Sequence, residues 1–332
     1  MIRNAKRRNP LRADPTRTAT LRRKFLAEIR KRFREIRKAI YQLVAGDDAF
    51  GLEHKPFVFN VHQFAFLSNP QKVRQFTQWL RTQVYSRLRG RTEEQLWEEF
   101  IREGFEKGAG RSFDDVRQSQ LRKERPELFT PQAQARMADF YAGTKDEFLR
   151  SSFGLPETKE KVQLLASRTF DDIIGVTRQM QDRIRQTLVE GLTRGENPRT
   201  IAREMVGQLD ISERKAETIA RTEIIRAHSE GQLQAMEQLG VEEIGVMVEW
   251  EITQDERLCP RCEQMKGVVL RIEEAKGLIP LHPNCRCAFI PANVGESDSG
   301  QVRGKSRIER AMGAADAFPA RPISRERPVP IV

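Results

Sequence analysis

From about residue 18 the chain places an apolar side chain every three or four residues: Leu21, Phe25, Ile29, Phe33, Ile36, Ile40 and Leu43. That spacing predicts one amphipathic helix over 18–45, about seven turns long. The aromatic and isoleucine stripe reads as a surface for packing against other helices. G-D-D-A-F-G-L at 46–52 ends it. The run 54–67 is short and rich in phenylalanine, with no clear period, and reads as a strand or an extended clamp. Its His54 and His62 have no cysteine nearby and read as core or surface residues. S-N-P at 68–70 starts a second helix, whose stripe is Phe76, Leu80, Val84 and Leu88, ending at Gly90.

A third helix starts at Thr92, with Gln95 placed for a capping box, and is expected to end at Gly108 and Gly110. Residues 114–125 are polar, and helical spacing resumes over 131–153. G-L-P-E-T-K-E at 154–160 marks the expected domain boundary. Helices are then expected at 158–170, 171–195, 198–208 with Pro198 at its start, and 212–238 capped by Asp210 or Ser212. The period changes at V-M-V-E-W-E-I-T, 246–253, which alternates as a strand does. G-V-V-L-R-I after residue 266 predicts a second strand and a hairpin. The fold class expected is mainly α with a small β-containing C-terminal subdomain. The division is a disordered basic 1–16, a helical domain 17–156, a second domain 157–292, and a disordered tail 293–332.

Charge sharpens this picture at one end. The chain of 332 residues has net charge +11, and residues 1–45 hold 15 Lys/Arg against 3 Asp/Glu, or +12, leaving −1 for the rest. Arg22, Arg23, Lys24, Arg30, Lys31, Arg34, Arg37 and Lys38 lie largely off the first apolar stripe. They form the expected contact surface for nucleic acid or an acidic protein face, against the plainer reading of a solvated helix face. No apolar run approaches the ~18 residues that a membrane span needs, so no membrane partner is expected.

All four cysteines fall between Cys259 and Cys287, with one of the four histidines among them. The motif is C-x2-C-x19-H-x2-C-x-C. Cysteines confined to one short stretch of a charged chain read as a metal clip in a reducing compartment rather than a disulfide scaffold. Cys259, Cys262, His282, Cys285 and Cys287 offer five donors for the four positions of a structural zinc ion. An all-cysteine set and three cysteines plus His282 both remain open, as do disulfides and unligated thiols. A redox dithiol is disfavoured because C-P-R-C lies between two expected strands rather than at a helix start. A hydrolytic metal would need an open position and a base, and the nearby acids Asp255, Glu256 and Glu263 are ordinary neighbours of such a knuckle.

The phrase A-R-T-E-I-I-R-A-H-S-E-G at 220–231 mixes charge on a helix, with Glu223 and Arg226 on one face. Glu223 and His228 do not share a face, so a structural helix is the main reading. No phosphate-binding loop, H-E-x-x-H or G-x-S-x-G motif occurs.

Taken together, G-L-T-R-G-E-N-P-R-T-I-A-R-E-M, A-R-T-E-I-I-R-A-H-S-E-G, W-E-I-T-Q-D-E-R-L-C-P-R-C-E-Q-M-K-G and H-P-N-C-R-C resemble the phage head morphogenesis domain of minor head proteins, typified by protein F of phage Mu. The likeness spans about Leu188 to Pro291. Its helix motif falls on Arg221, Thr222, Glu223, Ala227 and Gly231. Its cysteine–histidine end falls on Trp250, Thr253, Asp255, Cys259, Cys262, Gly267, His282, Pro283, Cys285, Arg286 and Cys287. The resemblance implies a non-catalytic minor capsid protein of the virion or procapsid interior, present in the host cytoplasm during assembly. Its implied partners are the portal protein and the major capsid protein, with double-stranded phage DNA as a further one. On this reading residues 1–45 form an assembly arm. The alternatives are a DNA-binding protein with a basic arm and zinc knuckle, or a transferase or nuclease.

Overall fold

The computed structural model describes residues 14–52, 67–89, 95–118, 144–240 and 247–292. The readings for residues 1–13, the aromatic run 54–66, the helix start at Thr92, the spacing over 131–143 and the tail 293–332 lie outside them.

Helix α1, Ala19–Tyr41, follows its apolar stripe: Leu21, Phe25, Ile29, Phe33, Ile36 and Ile40 are all buried. A π-helical turn, Gln42–Gly46, carries Leu43 and Val44 into the same core. Helix α2, Asn69–Arg89, buries Phe76, Leu80, Val84 and Leu88. Two long helices complete this layer. Pro156 at the first position opens α5, Pro156–Arg194, and Gly195 at φ 63° closes it. Asn197 caps α6, Pro198–Gln238, accepting from the Arg199 N–H at 2.9 Å. Helices α1, α2, α5 and α6 bury one common core that includes Ile184, Leu188, Ile201 and Met205. The expected boundary near residue 156 falls at the start of α5, and this core takes side chains from both sides of it.

Four expectations change here. The helix expected to serve as an arm is a packed member of this bundle. Its Arg30 reaches Glu217 at 2.5 Å, and its Arg37 reaches Asp210 and Glu213 at 2.5 Å each, all on α6. The breaks near residues 170 and 210 do not occur: α5 and α6 are each continuous, at 39 and 41 residues. Asp210 does not cap a helix because its carboxylate is taken by Arg37, and Ser212 is buried within the helix. Gly108 and Gly110 do not end α3, which runs Gln95–Gln118.

Gly108 has another use. A Cβ built there would lie 1.9 Å from the His228 carbonyl oxygen, and one at Gly231 would lie 2.1 Å from that of Phe105. Backbone packs directly on backbone where α3 crosses α6. Only glycine permits that approach. Helix α4, Lys145–Gly154, opens with a capping box between Thr144 and Glu147 and lays Phe148 on Phe113 of α3.

The far end of α6 carries the β-containing part. Strands β1 (Met247–Glu251), β2 (Val269–Leu270) and β3 (Ala288–Ala292) form an antiparallel sheet in the order β2-β1-β3, with Val248 opposite Leu270 and Trp250 opposite Phe289. The second strand is shorter than its sequence suggests, because Ile272 already begins a four-residue helix, α8 (Ile272–Ala275). Between β1 and β2 lies α7, Pro260–Gln264. A second core joins Phe113, Leu233, Met236, Trp250, Ile279 and Phe289.

Candidate metal centre

Cys259 is the N-cap of α7, its Sγ accepting from the Cys262 N–H at 3.3 Å. The strand-to-strand setting read from the sequence is thus corrected: C-P-R-C turns into a five-residue helix, with Pro260 at its first position. That turn aims both sulfurs to one side. The loop after α8 returns His282 and Cys285 to the same place. His282 Nε2 stands 3.1 Å from Cys259 Sγ and 2.9 Å from Cys262 Sγ, and Cys262 Sγ stands 3.9 Å from Cys285 Sγ. Cys259, Cys262 and His282 form one set of mutually close donors, and Cys262, Cys285 and Cys287 form another, each within 4.8 Å. Cys262 belongs to both.

The donor set fits zinc. Zn–S bonds of about 2.3 Å at tetrahedral angles place sulfurs about 3.8 Å apart, which the Cys262–Cys285 separation meets. His282 Nδ1 lies 2.8 Å from the Pro283 carbonyl, which only accepts, so Nδ1 carries a proton and Nε2 is the nitrogen turned toward the sulfurs, placed to ligate an ion. The thiols also show crowded negative charge. Bonding with Cys262 pulls Cys259 down to about 4, and Cys285 is likewise lowered, chiefly by Cys262; Cys262 itself is pushed up by Cys259. A cation among them removes that conflict. All four cysteines are free thiols, so the disulfide reading does not hold here.

The other motif residues build the frame of this cluster. Asp255 grips Arg286 in a two-pronged pair at 2.5 and 2.6 Å, and Arg286 holds its carboxyl down to about 2. Thr253 Oγ1 donates to the Arg286 carbonyl at 3.2 Å. Trp250 lies edge-on to Phe289 at 5.4 Å. Gly267 takes φ 69° at the turn into β2, and Pro283 is exposed beside His282. From α6, Thr222 Oγ1 accepts from the Asn284 N–H at 3.0 Å, tying the helix to the H-P-N-C turn. Arg221 pairs with Glu217 and Glu223 with Arg226, at 3.0 and 3.1 Å. Ala227 and Gly231 face α3.

Sequence reasoning missed Gln232. Its side-chain amide donates to the Phe289 carbonyl at 2.7 Å and accepts from the Phe289 N–H at 3.2 Å, pairing with the outer edge of β3 as a neighbouring strand would. Position 232 is one of few amides inside a buried helical run, which is the only trace it leaves in the sequence. Glu223 and His228 are not brought together. His228 is fully buried against α3, and among the described residues its ring nitrogens meet no partner in good hydrogen-bond geometry. A cleft of about 260 Å³ beside the cluster is lined by Glu223, Arg226, Arg168 and His282 among others. Its Glu223 carboxylate is already held by Arg226, with Arg168 at 3.9 Å.

The helix motif and the cysteine loop therefore act as one unit, with α6 as its spine. Residues 182–290 match the family described as Phage Mu protein F like protein. That stretch begins within α5, takes in all of α6, and closes on β3 with every cysteine of the chain inside it. No curated protein and no solved structure matches the chain. The Phage Mu protein F like match stops short of α1, α2 and α3. Among the described residues no helix is long and apolar enough to cross a membrane.

Proposed function

We propose that this protein is a minor structural component of a phage head, acting in head assembly, with a zinc ion clasping its C-terminal subdomain. The observation that carries this is the match over residues 182–290, whose helix motif and Cys/His loop are joined in space through Thr222 and Asn284. Cys259, Cys262, His282 and Cys285 hold the ion. Cys287, buried with its sulfur within 4.8 Å of those of Cys262 and Cys285, is the spare thiol. Zinc bound this way supplies folding energy and no reaction. The exposed face of α1 meets the portal, the inner shell or packaged DNA.

Mass spectrometry of gradient-purified heads and procapsids from the producing strain tests this reading. The chain should be present at a low and constant ratio to the major capsid protein. Its absence from both particles would sink the proposal. Metal analysis addresses the clasp: wild type should hold about one zinc per chain, and Cys287→Ser should keep it. Cys259→Ser, Cys262→Ser, His282→Ala and Cys285→Ser should each lose most of it. Loss with Cys287→Ser and retention with Cys285→Ser would reverse the assignment of those two thiols.

A further inference from the structure

We propose that the outer face of α1 binds the phosphate backbone of double-stranded DNA without regard to sequence; the proposal takes the head-protein reading above as its setting. Helix α1 carries nine Lys/Arg and two acids, and packing sorts these cations into two kinds. Arg22 is held by Asp14, Arg32 by Glu28, Arg30 by Glu217, and Arg37 by Asp210 and Glu213. These four are neutralised within the fold. Among the described residues, Lys24, Lys31, Arg34 and Lys38 are exposed and make no ion pair, and exposed Arg23 donates to the Thr20 hydroxyl and to no acid. Glu35, on one flank, is the exposed acid of the helix.

The unpaired cations lie in a line. Lys24, Lys31 and Lys38 are seven residues apart, so they repeat about every 10.5 Å along one side of a rigid helix, with Arg34 between two of them. Double-stranded DNA presents one negative charge per ~1.7 Å of its axis, so such a row finds phosphates in any register. A protein partner would need acids matched to each position and an apolar centre to the contact. Along the row of cations this face offers little apolar surface beyond Ala27; its apolar part is confined to the end, where Ala39 and Tyr41 line a shallow groove with Val206. Helix α2, packed beside α1, contains no acid at all and adds exposed Arg74 and Arg81, again seven apart. On that side the neighbouring helix adds to the positive field, while the acids on α6, Asp210 and Glu213, are taken up by Arg37. Flexible lysine ammonium groups suit phosphate contact without base reading.

The test uses the full chain and a labelled duplex of random sequence, with fluorescence anisotropy read across a salt series. One variant combines Lys24→Gln, Lys31→Gln, Arg34→Gln and Lys38→Gln. A control removes the same charge from exposed positions on α5 and α6: Lys159→Gln, Arg178→Gln, Arg185→Gln and Arg214→Gln. Circular dichroism confirms that both stay folded. Wild type should bind with a steep salt dependence. The α1 variant should lose about one unit of log–log slope per contact removed, and at least ~10-fold in affinity near 0.1 M salt, while the control stays close to wild type. No binding by wild type, equal loss in both variants, or wild-type binding by the α1 variant would each overturn the proposal. If the α1 variant drops out of purified heads yet binds DNA normally, the face meets an acidic protein and the DNA assignment is wrong. Absence of the wild-type chain from heads overturns the assembly role while leaving the DNA result to stand or fall on its own.

Discussion

Gly108 and Gly207 make opposite demands on the same substitution. At Gly108 a methyl group meets the His228 backbone, which cannot move without shifting α6. Gly207 lies within α6 with nothing near its missing side chain. Gly108→Ala should destabilise by ~3 kcal/mol, whereas Gly207→Ala should stabilise by ~1 kcal/mol through helix propensity. Urea midpoints of the two variants check both signs. His228 carries a second residue-scale prediction. Burial, assisted by Arg111, Arg22 and Lys107, drives its pKa down to about 3. The unfolded chain, with an ordinary value of about 6.5, takes up that proton first, so stability falls as pH drops from 6.5 toward 3. Between pH 7 and 4.5 this site alone costs about 3 kcal/mol. His228→Leu, which leaves no unpartnered ring nitrogen, should flatten that part of the pH profile. An unchanged profile in the variant would show that the ring is neutralised in some other way.

Single elements explain which parts of the fold the sequence could convey. The α1 and α2 stripes were legible because one face of each helix is buried and three- or four-residue spacing follows directly from that. The continuous α5 and α6 were harder to read. Asp210 and Ser212 look like cap residues, and only the distant Arg37 shows that one of them is otherwise employed. Gly108 read as a stop because the sequence does not reveal the helix that crosses it. The five candidate donors were visible from spacing, whereas which of them come within reach of one another depends on how the loop returns. A prediction follows from the two kinds of cation on α1. Arg37→Gln removes a pair shared with Asp210 and Glu213 and should lower stability by about 1 kcal/mol, while Lys31→Gln should leave it within about 0.5 kcal/mol of wild type. Equal effects would mean that the α1–α6 pairs contribute nothing in solution.

At the scale of the molecule, two cores share α6 but few other elements, and all four cysteines of the candidate metal centre belong to the second. Chelation should therefore loosen the sheet and the Cys/His loop before the four-helix layer. Trp250 reports on the second core, and Trp79 and Trp97 on the first. Adding a zinc chelator should redden Trp250 emission while most helical circular dichroism persists. Comparison with Trp250→Phe would isolate that signal. A single cooperative loss of both signals would mean that the cores do not melt separately.

The unbroken course of α6 also sets a phase. At 1.5 Å per residue its 41 residues form a rod of about 60 Å, and every residue fixes an angle of about 100° around it. The acids that receive α1, from Asp210 to Glu217, and the Thr222 that receives the H-P-N-C turn lie near the middle of the rod and are timed against each other by that rotation. One residue inserted between Glu217 and Thr222 would swing the two attachments out of alignment while lengthening the rod by only about 1.5 Å. The helix thus works as a camshaft, and its two attachments tolerate a change of length far better than a change of angle.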